Sequence, residues 1–151
     1  MHQVSTDSRD TPIGTVSISE QGGKIVSLKI GGSDRICRND VLDEAFRQLY
    51  EYLGGNRKRF DLDMEPNGTP FQKDVWNALK DIPYGKTVSY SDIAKASWHP
   101  RAVRAAGNAV GKNPIPLMIP CHRVIRSDGN IGGYALGTEL KEKLLRLEGV
   151  L

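Results

Sequence analysis

The chain has 151 residues, of which 38% are hydrophobic and 26% charged, the composition of an ordinary globular protein with one or two small domains. No apolar stretch approaches the roughly 18 residues that a transmembrane helix needs, and no segment has the pattern of a secretory signal, so we expect a cytoplasmic protein with no membrane partner. Two cysteines and three histidines, none at a metal-ligand spacing, predict no disulfide framework and no metal site, and we expect no cofactor.

The first part of the chain predicts a β-hairpin and one helix. Apolar residues alternate with serines over Thr15 to Glu20, and an apolar segment over Ile25 to Ile30 follows a glycine-rich turn. From Val41 to Leu53 apolar residues recur at helical spacing, and Gly54-Gly55 ends the helix. Cys37 lies between these elements and is expected to be buried and inert, the usual state of a lone cysteine.

A turn-rich segment from Asp61 to Gly68 predicts a linker, which divides a domain at residues 1–66 from one at 67–151. The net charge of +3 is unevenly distributed, with −1 on residues 1–64 and +4 on residues 65–151. Six basic residues and no acidic one lie between Ile93 and Ser127. This stretch is suited to an anionic partner, although charge alone favours a solvated basic face.

The second part is predicted to be mostly helical. Thr69 and Gln72 form a capping box around Pro70, and Ser89 with Asp92 caps a short second helix that ends near Ser97. A third helix is expected to begin at Pro100. The second and third helices form a helix-turn-helix pattern, which by itself is weak evidence of DNA binding.

The third helix is predicted to have a basic face and an apolar face when its residues are projected at about 100° each. A helix that enters a DNA groove needs a cationic edge and little bulk beside it. A surface helix with incidental arginines would show the same pattern. The basic side carries Arg101, Arg104, Asn108 and Lys112, the small residues around it are Ala102, Ala105, Ala109 and Gly111, and Val103, Ala106 and Val110 lie opposite.

Cys121 is the best candidate nucleophile. Three prolines within seven residues stiffen the chain before it, and His122 follows it directly. Arginines are close in sequence and no acidic residue lies within six positions, so neighbouring cations are expected to lower the pKa of its thiol from about 8.5.

The imidazole of His122 needs a partner that fixes its tautomer, and Glu148 is the candidate. Leu140, Leu144, Leu147 and Leu151 are predicted to form the buried stripe of the last helix, and Glu148 lies at the edge of that stripe. A carboxylate at the boundary of the core must be hydrogen-bonded or neutral. The alternative, which the pattern alone favours, is an exposed surface glutamate.

These motifs resemble those of the O6-alkylguanine-DNA alkyltransferases, the methylated-DNA-protein-cysteine methyltransferases. The resemblance covers nearly all of Pro70 to Gly149, and the N-terminal part matches only loosely. The most specific motif is Pro120-Cys121-His122-Arg123-Val124, preceded by Asn113-Pro114 and followed by Gly132-Gly133-Tyr134. Further matches are Phe71-Gln72, Val75-Trp76, Ile82 to Gly85, Ser89-Tyr90, Arg101 to Gly107 and Lys141 to Glu148.

The resemblance implies an α+β fold, in which a small N-terminal ribonuclease-H-like α/β domain precedes a helical, winged-helix-like DNA-binding domain with a helix-turn-helix. The implied function is DNA repair by a methylated-DNA-[protein]-cysteine S-methyltransferase. Cys121 would accept an alkyl group, mainly methyl, from O6-alkylguanine flipped out of double-stranded DNA, in one irreversible turnover. We expect a monomer that associates with the nucleoid when bound to DNA.

The resemblance also implies residue roles. Glu148 would bond to His122, which would act on Cys121 through a water, while Asn113 holds a turn and Tyr134 donates to the departing guanine. Arg104 would fill the gap left by the flipped nucleotide, and Tyr90 would press on the adjoining phosphate. Further DNA contacts are expected from Arg101, Ala105, Asn108 and Arg123.

Two positions depart from the family pattern. Leu136 stands where many members have glycine and is expected to narrow the pocket against benzyl groups. Trp98 stands where a small residue is common, and as an aromatic beside basic residues it is a candidate either for packing or for a contact with the DNA backbone, of which packing is expected. Two other functions are weighed. A lesion-binding module without chemistry would usually carry tryptophan in place of Cys121. A cysteine hydrolase would need a histidine from elsewhere in the chain to activate the thiol, and only His2 and His99 remain for that role.

Overall fold

The computed structural model describes residues 3–151, and the chain divides into two compact units, one ending at Asn67 and one beginning at Gly68. This division lies within the turn-rich segment of the sequence. Within residues 3–151, no helix is long and apolar enough to cross a membrane.

The first unit is a three-stranded antiparallel sheet with a helix packed on it. Strands β1 (Val4–Thr11), β2 (Gly14–Gln21) and β3 (Lys24–Ile30) pair in chain order, and helix α1 (Asp40–Leu53) packs against all three. The core between them is apolar and contains Val16, Ile18, Ile25, Leu28, Leu42, Phe46 and Leu49.

The predicted hairpin is confirmed as β2 and β3, whereas β1 was not predicted. Almost all residues of β1 are polar, so no apolar alternation marks it as a strand. Its buried position is Asp7, whose carboxylate accepts a 2.8 Å hydrogen bond from Nε of Arg9. The strand exists because its backbone pairs with β2 along its whole length, from Val4 opposite Gln21 to Thr11 opposite Gly14.

Helix α1 begins after Asn39, whose side chain accepts a hydrogen bond from the amide of Leu42, and ends before Gly54 as predicted. Tyr50, which shares the helical spacing of the other apolar residues in the sequence, is 38% exposed, whereas Tyr52, which lies outside that spacing, is buried. Cys37, just before the helix, is exposed rather than buried. It lies in an irregular segment, where no periodicity indicates which side chains face the core.

Part of the predicted linker is integrated into the first unit. The buried side chain of Gln48 donates to the carbonyl of Asp61 at 3.0 Å and accepts from its amide at 2.8 Å. The backbone of Ile25 pairs with both Asp63 and Glu65 at 2.8 Å. The chain therefore leaves the first unit only after Glu65.

The second unit is a helical cluster. Helices α2 (Pro70–Lys80), α3 (Tyr90–Ala96) and α4 (Val103–Gly111) pack against one another, and α5 (Thr138–Leu147) packs on a 3₁₀ turn at Cys121–Arg123. Both predicted capping boxes are present, at the starts of α2 and α3. Two short parallel strands, β4 (Val88–Ser89) and β5 (Val124–Ile125), join the start of α3 to the end of the 3₁₀ turn.

Helix α4 begins at Val103 rather than at Pro100, so Arg101 precedes the helix. It is fixed to α2 by the buried indole of Trp76, which donates from Nε1 to the carbonyl of Ala109 at 2.8 Å. Ala109 thus faces the core and not the basic face to which the sequence projection assigned it. The helical wheel misplaced this residue because the direction of the core depends on where α2 lies.

The turn between α3 and α4 contains a strained residue. Trp98 has a φ of +68°, and its side chain is 89% exposed. A residue with a side chain in this left-handed region costs about 1–2 kcal/mol relative to the right-handed one. The expectation that Trp98 packs against the protein is wrong.

Candidate active site

The loop that leads to Cys121 is organised by Asn113. Its side chain donates from Nδ2 to the carbonyl of Ile119 at 2.8 Å and accepts at Oδ1 from the amide of Ile115 at 3.0 Å. Between these two points Leu117 is buried in a left-handed conformation with a φ of +75°. Strain of this kind persists only where the surroundings over-determine the backbone. The loop therefore holds the start of the 3₁₀ turn, and with it Cys121, in one position.

The thiol of Cys121 is only 3% exposed, and this burial raises its pKa to about 11. A hydrogen bond with Asn113 and the charge of Lys141 act in the opposite direction but do not compensate. The expectation that nearby cations lower this pKa is wrong for the unbound protein, because desolvation disfavours the thiolate. At pH 7 the thiol is therefore protonated in nearly every molecule, so efficient transfer needs a group that takes up the proton.

Glu148 lies directly after α5 and accepts hydrogen bonds on both carboxylate oxygens. Oε2 accepts from Nε2 of His122 at 2.7 Å and from Nη2 of Arg123 at 3.1 Å. Oε1 accepts from Nε of Arg123 at 2.8 Å and from the amide of Gly85 at 3.1 Å. The predicted bond between Glu148 and His122 is confirmed, and the bidentate guanidinium favours the ionised carboxylate.

His122 is buried in a setting that favours its neutral form. Burial is the main cause that lowers its pKa, and the charges of Arg123 and Lys141 lower it further, against the opposing effect of Glu148. An ionised carboxylate can only accept a hydrogen bond, so Nε2 carries the proton of the neutral ring. Of the two nitrogens of the His122 ring, Nδ1 is then the one that can accept a proton.

Arg123 does not have the surface position expected of a DNA contact. Its side chain is 9% exposed, and besides the pair with Glu148 its Nη1 donates to the carbonyl of Ile82 at 2.7 Å. The guanidinium also lies 5.7 Å from the centre of the Tyr84 ring. Arg123 is thus a buried support for Glu148, and its expected role as a DNA contact is corrected.

Lys141 is a site residue that the sequence analysis missed. Its side chain is fully buried, and Nζ donates to the carbonyls of Val124 at 2.7 Å and Gly133 at 3.0 Å. Burial lowers its pKa to about 8, and its charge interacts with Cys121. The side chain thereby ties the loop that carries Tyr134 to β5.

The buried face of α5 explains why Lys141 was missed. Of the predicted stripe of leucines only Leu144 is buried, since Leu151 is 56% exposed and Leu140 and Leu147 are only half-buried. The face that packs is Lys141, Leu144, Leu145 and Glu148. These four residues are separated by three, one and three positions, which is also a helical spacing. The signal in the sequence was that this face begins with Lys141 and ends with Glu148, two charged residues flanking two leucines.

A pocket of about 290 Å³ opens beside the thiol. The ring of Tyr134 meets His122 edge-on at 6.4 Å. Leu136 is absent from the lining that the structure describes, so the expectation that it narrows the pocket has no support in the geometry. The lining residues are Tyr90, Gly107, Val110, Gly111, Cys121, Gly133, Tyr134 and Ala135.

Two glycines make room for Tyr90 at this pocket. A Cβ atom at Gly107 on α4 would lie 3.4 Å from Cδ1 of the Tyr90 ring. A Cβ atom at Gly132 would lie 3.3 Å from the Tyr90 hydroxyl, and Gly132 has a φ of +75°, which favours glycine. The Tyr90 side chain is therefore confined between α4 and the loop that precedes Tyr134.

The two faces predicted for α4 are otherwise present. Ala106 and Val110 are buried. The exposed side carries Arg104, Ala105 and Asn108, with Arg101 exposed just before the helix and Lys112 just after it. His99, the other histidine within residues 3–151, bonds to Asp74 at 3.1 Å and does not line the pocket, and His2 lies outside the described residues.

Comparison with known proteins agrees with this site. Residues 70–150 match the family described as 6-O-methylguanine DNA methyltransferase, DNA binding domain. A methylated-DNA–protein-cysteine methyltransferase of Methanosarcina acetivorans is 47% identical, over 93% of this chain and 95% of the relative. The constitutive methylated-DNA–protein-cysteine methyltransferase of Bacillus subtilis is 41% identical over 93% of each chain.

A solved structure is also similar over nearly the whole chain. The crystal structure of Mycobacterium tuberculosis OGT in complex with DNA has a TM-score of 0.87 and 37% sequence identity. The similarity covers 95% of this chain and 91% of that chain. The mixed arrangement of helices and a small antiparallel sheet is thus the fold of that protein. By the extent of these matches, the chain belongs to the methylated-DNA–protein-cysteine methyltransferase family.

Proposed function

We propose that this protein repairs DNA by transferring an alkyl group, mainly methyl, from O6 of an alkylated guanine to Sγ of Cys121. The observation that carries the proposal is the Cys121 thiol at a pocket, with the buried hydrogen bond between His122 and Glu148 behind it. Its membership of a methyltransferase family that acts on methylated DNA supports the same reaction.

The chemistry is a displacement at the alkyl carbon. A bond between sulfur and carbon forms while the bond between carbon and O6 breaks, and the thiol proton ends on the departing guanine. His122 takes part in this proton movement through Nδ1, and Glu148 stabilises the imidazolium that forms. The buried charge of Lys141 favours the thiolate, and Tyr134 donates to the guanine as it leaves. The product is a thioether, so each molecule acts once.

The pocket requires the damaged base to leave the duplex. An alkyl carbon on a stacked base is beyond the reach of a side chain, so the nucleotide must first be flipped out, at a cost of a few kcal/mol. The exposed face of α4 would bind the DNA, with Arg104 in the gap and Tyr90 against the adjoining phosphate. Arg101, Ala105 and Asn108 would make further contacts, and Asn113 would keep the thiol in place.

We also propose a fold for each of the two units. The first unit corresponds to a ribonuclease-H-like domain of residues 1–66, and the second to a winged-helix-like domain of residues 67–151 that binds the DNA. The protein would act as a monomer in the cytoplasm. Its substrate is double-stranded DNA, so its activity places it with the nucleoid when bound.

The test is incubation with a duplex that carries methyl-labelled O6-methylguanine, followed by a mass spectrum of the intact protein. We expect the label on the wild-type protein in a single equivalent. Cys121→Ala should bind the lesion and leave the label on the DNA, whereas Cys37→Ala, at the other and exposed cysteine, should transfer normally. A wild-type protein that binds but never takes up the label would be a lesion-binding module, and the proposed transfer would be refuted.

A further inference from the structure

The turn between α3 and α4 exposes an aromatic residue for which the fold has no use. At 89% exposure, Trp98 is the most exposed large hydrophobic side chain within residues 3–151. Its φ of +68° is a conformation that glycine adopts without strain. The exposed indole buries little apolar surface in the folded protein, and backbone strain of this kind clusters at sites that bind a partner or a ligand.

Trp98 is presented by a rigid turn. The amide of Trp98 donates to the carbonyl of Lys95 at 3.1 Å, and the amide of His99 donates to that of Ala94 at 2.9 Å. The ring of His99 packs against Phe71 of α2 with centroids 4.7 Å apart. A tryptophan on a fixed backbone has only two side-chain torsions to restrict when it meets a partner.

The chain on either side of Trp98 is cationic, and the carboxylate that reaches this turn, Asp74 of α2, bonds to the adjacent His99 at 3.1 Å. Lys95 and Arg101 are exposed on either side of it in the chain, and no acidic residue occurs between Ile93 and Ser127. The turn leads directly into the exposed face of α4, which carries Arg104. An isolated aromatic ring among cations suits a polyanion with apolar sugars better than it suits a membrane or an apolar protein groove.

We propose that Trp98 contacts duplex DNA and extends the interface of α4. The indole packs against a deoxyribose of the backbone beside the lesion, while Lys95 and Arg101 neutralise neighbouring phosphates. This inference rests on the proposed function only for the identity of the partner. It assigns Trp98 to DNA affinity and gives it no part in the transfer step.

Intrinsic fluorescence tests the contact directly, because the chain has two tryptophans and Trp76 is only 1% exposed. Quenching by the neutral quencher acrylamide therefore reports Trp98. We expect a saturating amount of a lesion-bearing duplex to protect this fluorescence in a Cys121→Ala background, where no transfer occurs. Adding Trp98→Phe leaves Trp76 alone and should abolish the DNA-dependent change.

The effect on affinity separates the indole from the charges. Trp98→Gly should weaken DNA binding by about fivefold to tenfold at one fixed salt concentration, the low end of what an aromatic side chain contributes when it stacks on a base, because a sugar offers a smaller surface. Because the indole carries no charge, the slope of log affinity against log salt should not change. Arg101→Ala is the matched control and should reduce that slope by about 0.9.

Thermal unfolding distinguishes a DNA contact from a structural role. Trp98→Gly should unfold at the wild-type temperature or above it, since glycine relieves the positive φ. Unchanged acrylamide quenching with DNA, unchanged affinity of Trp98→Gly, or a melting temperature lowered by the substitution would each overturn the proposal. If DNA protects Trp98 but the wild type takes up no methyl label, the proposed function fails and the contact stands.

Discussion

Removing Arg123 should destabilise the protein far more than removing an exposed arginine from the same unit. In Arg123→Met the carboxylate of Glu148 keeps its burial and loses its bidentate partner, a change that costs about 3–5 kcal/mol of unfolding free energy. For a chain of this size each kcal/mol lowers the melting temperature by about 2–4 °C, so a decrease of about 6–20 °C is expected. Arg146→Met, which breaks an exposed pair with Glu142, should cost less than about 1 kcal/mol.

The same substitution should raise the pKa of His122. Glu148 raises this pKa in the wild type, whereas burial, Arg123 and Lys141 lower it, and the ring of Tyr134 lies edge-on to the imidazole. Since the folded-state pKa lies below the unfolded value of 6.5, the unfolded chain binds the proton first as the pH falls. The stability from neutral His122 is therefore present above pH 6.5 and is lost as the pH falls towards the folded pKa. In Arg123→Met this acid loss should become shallower.

Urea unfolding between about pH 5 and pH 8 measures both effects, and the ring resonances of His122 report its pKa directly. The unfolding free energy of Arg123→Lys should lie between those of the wild type and Arg123→Met, because an ammonium keeps the charge but not the bidentate geometry. The reasoning is refuted if Arg123→Met is as stable as Arg146→Met, or if the pKa of His122 does not rise.

Three other changes test the rest of the site. Glu148→Gln should slow methyl transfer at saturating DNA by about 10²-fold, the lower end of what a positioned base contributes, and a rate within twofold of the wild type would contradict the relay. Lys141→Met should raise the pKa of Cys121 and lower the rate at which iodoacetamide alkylates its thiol. In the wild type this rate should rise less steeply with pH above about pH 8, where Lys141 loses its charge. A rate that rises with the same slope on both sides of pH 8 would argue against the coupling between Lys141 and Cys121. Thr69→Ala removes the cap of α2 and should lower the free energy of unfolding by about 1 kcal/mol, measured by thermal unfolding, while the rate of methyl transfer stays unchanged. A slower transfer would show that the start of α2 supports the active site.

Local features of the chain were predictable because they depend on near neighbours in sequence. The capping boxes at Thr69 and Ser89, the hairpin and the two faces of α4 follow from spacing over a few residues. The motif around Cys121 indicated the nucleophile, and its resemblance to a known family indicated the partner of His122. Strand β1 escaped prediction because its polar residues carry no pattern, and only pairing with β2 makes it a strand.

The sequence alone indicated the family and Cys121 as the candidate nucleophile, and tertiary structure decided how the site is tuned. The pKa of Cys121 is raised because distant parts of the chain exclude water from the thiol, an effect that adjacent arginines could not reveal. Arg123 turns inward because the carboxylate of Glu148 and the carbonyl of Ile82 accept its hydrogen bonds. Lys141 is buried because the carbonyls of Val124 and Gly133 accept hydrogen bonds from its ammonium group. Burial and charge pairing depend on contacts between residues far apart in the chain, which a pattern of neighbours does not contain.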